Sequence, residues 1–228
     1  MRVAETGSTN ADMLALAADG SVGEGDWLIA ERQTAGRGRQ GRAWQSPRGN
    51  LYASGLVEVR KGDPPASSLA LVTGLAVIDA LGISSLWLKW PNDVLAGSAK
   101  LAGILLERQG GHVVIGVGIN LTHYPDLPDR PAISLAALGV TITTDAAIAA
   151  LAVTVAQWVE TWRTAGLAAI RTAWLERAHP IGTSMSAALP DGTRLDGMFD
   201  GLTPDCALQL RLAEGTTRVI HAGDVFLI

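Results

Sequence analysis

Three apolar segments joined by short connections constrain the fold more than any other feature of this chain. They cover residues 86–95, 100–107 and 112–121, and only residues 96–99 and the turn around residues 110–111 separate them. Parallel strands need a crossover of a dozen or more residues, whereas antiparallel neighbours need only a tight turn. The pattern therefore predicts an antiparallel meander, and it argues against a dinucleotide-binding fold built on a parallel sheet.

A loop rich in glycine and arginine precedes these segments, over residues 34–54. It places four arginines among four glycines in a protein with a formal net charge of −4: Arg37, Arg39, Arg42 and Arg48. Guanidinium groups repel one another unless an anion joins them, and glycine leaves the backbone free to wrap that anion. The loop therefore favours a phosphate site, anchored at its exit by a strand over residues 51–59. A mobile surface loop or a disordered RNA-binding segment has a similar composition.

Composition narrows the classes of function. The negative net charge and the sequence pI of about 5.5 argue against nucleic-acid binding along the whole chain. Cys206 is the only cysteine and the four histidines stand far apart, so we expect neither a disulfide nor a protein-based metal site. No signal pattern begins the chain, and charges interrupt every long apolar stretch. We therefore expect a cytoplasmic protein that binds neither membrane nor nucleic acid.

Two domains are expected. Residues 1–180 mix strand-like and helical segments, with Asp145 predicted to cap a long helix and a second helix following Gly166. From Ile181 onward, short strands alternate with glycine turns, which is typical of a small β-barrel. The fold class predicted is α+β, with a mixed or antiparallel sheet and packed helices over residues 1–180 and a β-barrel over residues 181–228.

Polar residues near the N-terminus have two interpretations. Ser8, Thr9 and Asn10 precede an alanine-rich helix, where such residues commonly cap the first turn. A hydroxyl that is not used for capping is free to face a pocket. Gln33 follows the strand-like residues 26–31, at a strand end that delivers a polar group to a site. The residues alone leave both interpretations open.

Five motifs, in order along nearly the whole chain, resemble those of the biotin protein ligases. They are Ser8-Thr9-Asn10, the loop over residues 36–44, and the segments 89–93, 100–105 and 116–120. The resemblance implies the class II synthetase-like catalytic domain of biotin and lipoate ligases, with an SH3-like C-terminal β-barrel. Because only seven residues precede Ser8, the chain resembles the monofunctional class without a DNA-binding domain.

The activity implied by this resemblance has two steps. Biotin and MgATP give biotinyl-adenylate and pyrophosphate, and a lysine of a biotin carboxyl carrier protein, usually that of acetyl-CoA carboxylase, then takes the biotinyl group. The residues suit this chemistry. Cations must lie between a carboxylate and the negatively charged α-phosphate that it attacks, whereas a neutral ureido ring needs hydroxyl and amide partners.

The resemblance also implies a role for individual residues. Those implied for biotin are Ser8, Thr9, Asn10, Gln33, Arg37, Gly38, Arg39 and Lys100. Those implied for ATP or the adenylate are Arg39, Arg42, Trp44, Lys89, Asn92 and Asn120. Arg37, Arg39 and Lys100 are implied to act on the reacting charges, and Asp93 to orient the incoming carrier lysine.

Alternatives stay open at this point. A lipoate or octanoate ligase shares the fold, although the Gly-Arg-Gly-Arg loop is associated with the biotin branch. A non-catalytic biotin-binding protein would keep the motifs without the reaction. A ligand-responsive DNA-binding regulator would need a reading head and a more basic surface. Both monomers and homodimers occur in the family, and no residue pattern marks an interface.

Overall fold

The computed structural model describes residues 1–127 and 131–228. Its three helices are α1 (Thr9–Ala18), α2 (Leu69–Leu81) and α3 (Thr144–Glu176). The strands in the first part of the chain are β1 (Arg2–Val3), β2 (Trp27–Ala30), β3 (Leu51–Glu58), β4 (Leu86–Lys89), β5 (Asp93–Ala96), β6 (Ala99–Gln109) and β7 (His112–Ile119). Those in the last part are β8 (Ser184–Ala188), β9 (Arg194–Leu202), β10 (Leu208–Arg211), β11 (Thr217–Ile220) and β12 (Asp224–Leu227).

A seven-stranded mixed sheet with the order β1-β2-β3-β7-β6-β5-β4 forms the larger part of the molecule. The strands β4 to β7 are antiparallel neighbours in chain order, which confirms the predicted meander. Residues 86–95, expected as a single segment of the meander, form the β4–β5 hairpin instead, in which Lys89 is paired with Asp93. The physical reason is Pro91, which has no N–H to continue a strand ladder.

The two faces of this sheet are covered differently. Leu51 and Val57 of β3 belong to a large core that also contains residues of α2 and α3. Leu56 of β3 and Val114 of β7 face the other way and pack with Met13 of α1 in a smaller core. Successive side chains of a strand point to opposite faces, so residues of the same parity as Leu56 lie on the α1 side.

Small and polar residues replace apolar ones on part of that α1 side. They are Ser54 of β3, which is paired in register with Gly116 of β7, and Gly118 two positions further along. Apolar side chains would fill this area, as they do on the other face. Their replacement creates the room in which the candidate site lies.

Helix α3 begins with a cap other than the one predicted. The hydroxyl of Thr143 accepts a hydrogen bond from the backbone N–H of Ala146, whereas Asp145 lies in the first turn and forms an ion pair with Arg2. The predicted break at Gly166 is present as a kink, where φ is +71°. A positive φ is accessible to glycine at little cost, which explains why the interruption occurs at this residue.

The second sheet has five antiparallel strands in the order β11-β10-β9-β8-β12. It contacts the end of α3, where Trp174 meets Phe199 edge to face with ring centroids 6.4 Å apart. The guanidinium of Arg171 donates to the carbonyl oxygen of Leu202 at 2.8 Å. The domain boundary near residue 181 stays a prediction. No helix within residues 1–127 or 131–228 combines the length and apolar character that a membrane crossing requires.

Candidate active site

A cavity of about 530 Å³ lies on the α1 side of the larger sheet. All the residues implied for biotin and for the adenylate line this cavity, from Ser8 at the N-cap of α1 to Asn120 after β7. Residues of β12, including Asp224, close one side of it. Its volume lies in the range of small-molecule sites, which run from about 300 to 1,000 Å³. The structure therefore brings together residues from distant parts of the chain, while their individual binding roles stay predictions.

Neutral hydrogen-bonding groups line one end of the cavity. The backbone N–H and the hydroxyl of Thr9 lie 2.9 Å and 3.1 Å from Gln33 Oε1. The other amide atom, Gln33 Nε2, donates to the hydroxyl of Ser46 at 3.1 Å. Ser8 occupies the N-cap position of α1, but its side chain makes no capping hydrogen bond to the described first turn. This hydroxyl is therefore not used for capping, as the pocket interpretation of Ser8 requires.

Glycines in the sheet leave room for larger side chains of the site. A Cβ atom at Gly116 would lie 2.3 Å from Asn10 Oδ1, and one at Gly118 would lie 2.6 Å from the Trp44 ring. Such distances are far below van der Waals contact, so any larger residue would displace the two side chains. Glycine inside a strand is otherwise unfavourable, and here the close approach of Asn10 and Trp44 explains it.

Charged groups occupy the other end. The carboxylate of Asp93 lies 2.5 Å from Lys100 Nζ and 3.0 Å from Lys89 Nζ, and its side chain is only 12% exposed. Burial alone would raise the pKa of Asp93, but the positive charges of Lys100 and Lys89 outweigh it and lower the pKa to about 2. Asp93 is therefore an ionised carboxylate at neutral pH, held between two ammonium groups.

The arginine loop reaches across to the second sheet. Arg42 donates two hydrogen bonds to the carboxylate of Asp224, at 2.6 Å and 2.9 Å, and Arg39 lies 3.5 Å from the same carboxylate. Burial lowers the pKa of Arg39, while Asp224 and Asp93 oppose that shift. Arg39 also donates to Asn92 Oδ1 at 3.3 Å. Asp224 thus gives these guanidinium groups a negative partner from within the chain.

The four arginines of the loop do not converge, contrary to the expectation that one anion joins them. Arg37, Arg39 and Arg42 line the cavity, whereas Arg48 forms an ion pair with Glu31 away from it. The reason is that internal carboxylates satisfy the charges of Arg42 and Arg48 separately. A cluster of charges in sequence can therefore be dispersed in space by partners that lie elsewhere in the chain.

Trp44 lies between the two ends of the cavity. Its indole Nε1 is buried and has no hydrogen-bond partner within residues 1–127 and 131–228. The ammonium of Lys100 lies 5.3 Å from the ring centroid, a distance suited to a cation–π contact. Asn120 donates from Nδ2 to the carbonyl oxygens of Lys100 and Ile133, at 3.3 Å and 3.1 Å. Trp44 therefore offers an unused donor inside the cavity, while the amide nitrogen of Asn120 holds the backbone beside Lys100.

Several polar residues that support the site were missed by the sequence interpretation. They are Ser46, Ser54, Glu107 and Asp224. Ser54 is fully buried in the apolar strand β3, and a lone serine in such a strand is the one signal that the sequence offered. Asp224 and Glu107 each look like one surface carboxylate among many. No group of three or more His, Cys, Asp or Glu in the described ranges is placed to hold a metal ion.

Comparison with known proteins agrees with this geometry. The model of the biotin/lipoate A/B protein ligase family matches residues 18–120, and that of the biotin protein ligase C-terminal domain matches residues 187–228. A biotin–(acetyl-CoA-carboxylase) ligase of Mycobacterium tuberculosis is 42% identical over 98% of this chain and 86% of its own length. A ligase of the same name from Paracoccus denitrificans is 38% identical, with 98% of each chain covered. The chain belongs to the biotin protein ligase family.

The fold agrees with that of solved biotin protein ligases. The structure of the Aquifex aeolicus enzyme in complex with biotin and ATP superposes with a TM-score of 0.87, covering 100% of this chain and 98% of the other, at 24% identity. The α+β class with a C-terminal SH3-like module, expected from the motifs, is thereby confirmed. The resemblance read from the five motifs is confirmed as well.

Proposed function

We propose that this chain is an ATP-dependent biotin protein ligase. It activates biotin as biotinyl-5′-AMP and transfers the biotinyl group to a lysine of the biotin carboxyl carrier protein of acetyl-CoA carboxylase. The main support is a single cavity with a neutral hydrogen-bonding end and a cationic end, in a member of the biotin protein ligase family. Biotin has the matching polarity, with a neutral ureido head and a negatively charged carboxylate.

The neutral end binds the biotin head in this proposal. The hydroxyls of Ser8 and Thr9 and the amide of Gln33 contact the ureido ring, because this ring presents both N–H donors and a carbonyl acceptor. The backbone around Gly38 closes over it. Asn10 is only 4% exposed and is bonded to protein atoms on both sides of its amide, so it supports its neighbours more than it touches the ligand.

The first half-reaction takes place at the cationic end. An oxygen of the biotin carboxylate attacks the α-phosphorus of ATP, and the bond from that phosphorus to the bridging oxygen breaks as pyrophosphate leaves. Lys100, Arg37 and Arg39 stabilise the negative charge that develops during this step, and Arg42 contacts the departing phosphates. Mg²⁺, which enters bound to ATP, supplies further neutralisation of the phosphates. Trp44, Lys89, Asn92 and Asn120 line the adenylate side.

The second half-reaction uses the amine of the carrier lysine. Its nitrogen attacks the acyl carbon of biotinyl-adenylate, AMP leaves, and the amine gives up a proton to solvent. The low pKa of Asp93 makes this carboxylate a poor base at neutral pH. Asp93 therefore attracts and orients the incoming amine instead of removing its proton. The first step uses biotin and ATP and the second modifies a carboxylase subunit, and for this reason we place the protein in the cytoplasm. We further propose that it acts as a monomer or homodimer and binds neither nucleic acid nor membrane.

Mass spectrometry for an acyl-adenylate tests the proposal directly. Purified protein is incubated with MgATP and, in separate tubes, biotin, lipoate or octanoate, and then with an apo carrier domain. Biotinyl-adenylate and a biotinylated carrier are expected. A lipoyl or octanoyl adenylate would instead assign the chain to the sister branch. Tight biotin binding without any adenylate would identify a non-catalytic binding protein.

A further inference from the structure

Asn10 is held by a carboxylate that lies outside the cavity. Its Nδ2 donates to Glu107 Oε2 at 2.8 Å and to the carbonyl oxygen of Leu105 at 3.3 Å. Its Oδ1 lies 2.6 Å from the hydroxyl of the fully buried Ser54. Glu107 is half-buried on β6 and is not among the described residues that line the cavity. It can therefore influence a ligand there only through Asn10.

The charge of Glu107 fixes the direction of the hydrogen bonds that follow. An ionised carboxylate only accepts, so the NH₂ group of Asn10 must face Glu107, and its oxygen must face Ser54. Ser54 then donates its single proton to Asn10. The Thr9 hydroxyl lies 2.8 Å from Ser54 Oγ and 3.1 Å from Gln33 Oε1, so one of these two protein oxygens takes its proton.

The consequence reaches the cavity wall at Thr9. Because Ser54 or Gln33 takes its proton, the Thr9 hydroxyl presents only lone pairs to a ligand in the cavity. Gln33 is fixed in the same way: its Oε1 accepts from the backbone N–H of Thr9, so that Nε2 is the donor on the other side. The wall then offers an acceptor at Thr9 and a donor at Gln33. A cyclic urea, with an N–H beside its carbonyl, is the complementary ligand.

We propose that Glu107 is a positioning residue that makes the cavity specific for a ligand head bearing N–H groups. This inference rests on the proposed function and deepens it, because a ureido ring has such groups whereas a dithiolane ring or an alkyl chain has none. A site built to hydrogen-bond its ligand rejects an analogue that leaves its buried groups unpaired. Without Glu107, the Nδ2 of Asn10 keeps only the longer 3.3 Å bond to the carbonyl oxygen of Leu105. When the amide turns, Ser54 donates to Thr9 instead and occupies a lone pair that would otherwise face the ligand.

Two substitutions at position 107 test this role. Glu107→Leu removes the acceptor, and the KM for biotin is expected to rise roughly 10-fold to 100-fold, with kcat and the KM for ATP within about twofold of the wild type. Glu107→Gln keeps a carbonyl oxygen that accepts from Asn10, so it is expected to retain most of the biotin affinity. Weak binding of octanoate, which has no N–H, is expected to be the same in all variants.

A paired exchange tests the direction of the bonds. Asn10→Asp places a second carboxylate opposite that of Glu107, and this variant is expected to lose biotin affinity to the same extent as Glu107→Leu. Combining Asn10→Asp with Glu107→Gln restores a donor facing an acceptor, now from position 107 to position 10, and still leaves an oxygen for Ser54. The double variant is therefore expected to bind biotin more tightly than Asn10→Asp alone, although a carboxylate oxygen at position 10 still faces the carbonyl oxygen of Leu105. A merely structural role for Glu107 predicts no such recovery.

Controls separate this inference from the proposed function. Glu176→Leu makes the same chemical change on the exposed end of α3, and melting temperatures show whether each variant is folded. Titration calorimetry gives the Kd for biotin without requiring catalysis. If Glu107→Leu does not fold, the comparison of Asn10→Asp with the Asn10→Asp/Glu107→Gln double variant tests the role of Glu107. A folded Glu107→Leu variant with wild-type biotin affinity, or a double variant no better than Asn10→Asp, would overturn the role of Glu107 alone. A wild-type protein that neither binds nor activates biotin would overturn both proposals.

Discussion

The two ends of the cavity are organised by different physical means. At the neutral end, Thr9, Gln33 and Ser54 are fixed by short, directional hydrogen bonds within a rigid wall made by α1 and the sheet. At the charged end, Lys100 and Arg42 are held by internal carboxylates, Asp93 and Asp224, through ion pairs. A hydrogen bond is lost when its donor atom is replaced by an acceptor. A cation, in contrast, is still attracted when one anion replaces another beside it.

This difference explains how one cavity can both recognise a ligand and promote a reaction. The neutral end is suited to recognition, because its donors and acceptors are set before a ligand arrives. The charged end is suited to the reaction, because its cations are concentrated in a partly buried space where they act strongly on developing charge. Substitutions at the neutral end should therefore change the KM for biotin. Those at the charged end should change the rate of adenylate formation.

The largest effect is expected from removing a cation at the charged end. Lys100→Ala and Arg39→Ala are each expected to lower the rate of biotinyl-adenylate formation by about 10²-fold to 10³-fold, because each removes charge stabilisation in the transition state. Pyrophosphate release measures the rate. Both variants should stay folded by circular dichroism. Unfolding of both variants would contradict the assigned roles.

Removing the carboxylate between the two lysines should reduce stability. Asp93→Asn leaves Lys89 and Lys100 partly buried without their counterion, at an expected cost of about 3 kcal/mol in the free energy of unfolding at pH 7. The folded pKa of Asp93, about 2, is lower than its ordinary value of 3.8, so its contribution is present above pH 4 and is lost as the pH falls towards 2.

Urea unfolding of wild type and Asp93→Asn at several pH values measures this contribution. The difference in stability should be constant from pH 7 to about pH 5 and should shrink below about pH 4. Asp79→Asn is a suitable control, since Asp79 is a more exposed carboxylate that pairs with Arg177. A difference that shrinks already near pH 6 would mean that the two lysines do not keep Asp93 ionised.

Alanine substitutions at two glycines of β7 test whether the two ends of the cavity act separately. Gly116→Ala should displace Asn10 and raise the KM for biotin, whereas Gly118→Ala should displace Trp44 and raise the KM for ATP. Overpacking of this kind costs about 1–3 kcal/mol of folding stability, and the displaced side chain is expected to raise the corresponding KM roughly 10-fold. Gly111→Ala is the control, because its added Cβ would be 3.9 Å from its nearest neighbour. Identical effects of both alanines would show that the two ends are not separable.

The smallest effect is expected from the fourth arginine of the loop. Arg48→Ala should leave pyrophosphate release within about twofold of the wild type and change stability by at most about 1 kcal/mol, because Arg48 makes an exposed ion pair with Glu31. Steady-state kinetics of pyrophosphate release, measured for Arg48→Ala and Arg42→Ala side by side, compare an arginine outside the cavity with one that lines it. A loss of activity as large as that of Arg39→Ala would mean that Arg48 leaves Glu31 and joins the charged end when substrate binds.

The sequence by itself determined the fold class and the meander, and its family motifs named many of the residues that line the cavity, though not Asp224. Short connections after residues 95 and 109 leave only antiparallel pairing, and strand alternation places Gly116 and Gly118 on one face. These are local constraints, because they depend on neighbouring residues and on the geometry of a single strand or turn. Errors were local too: Thr143 and Asp145 are both capping types, and only the bond to Ala146 shows which one begins α3.

Only the tertiary structure decided which charges and hydrogen bonds meet. Asn10 and Glu107 are 97 positions apart, and Arg42 and Asp224 are 182 positions apart. Such pairs depend on strand register and on the docking of the second sheet, which arise from the packing of the whole chain. An arginine carries the same local pattern whether its partner is a substrate phosphate or a carboxylate of its own protein, and for this reason Arg48 could not be separated from Arg39 before the fold was known.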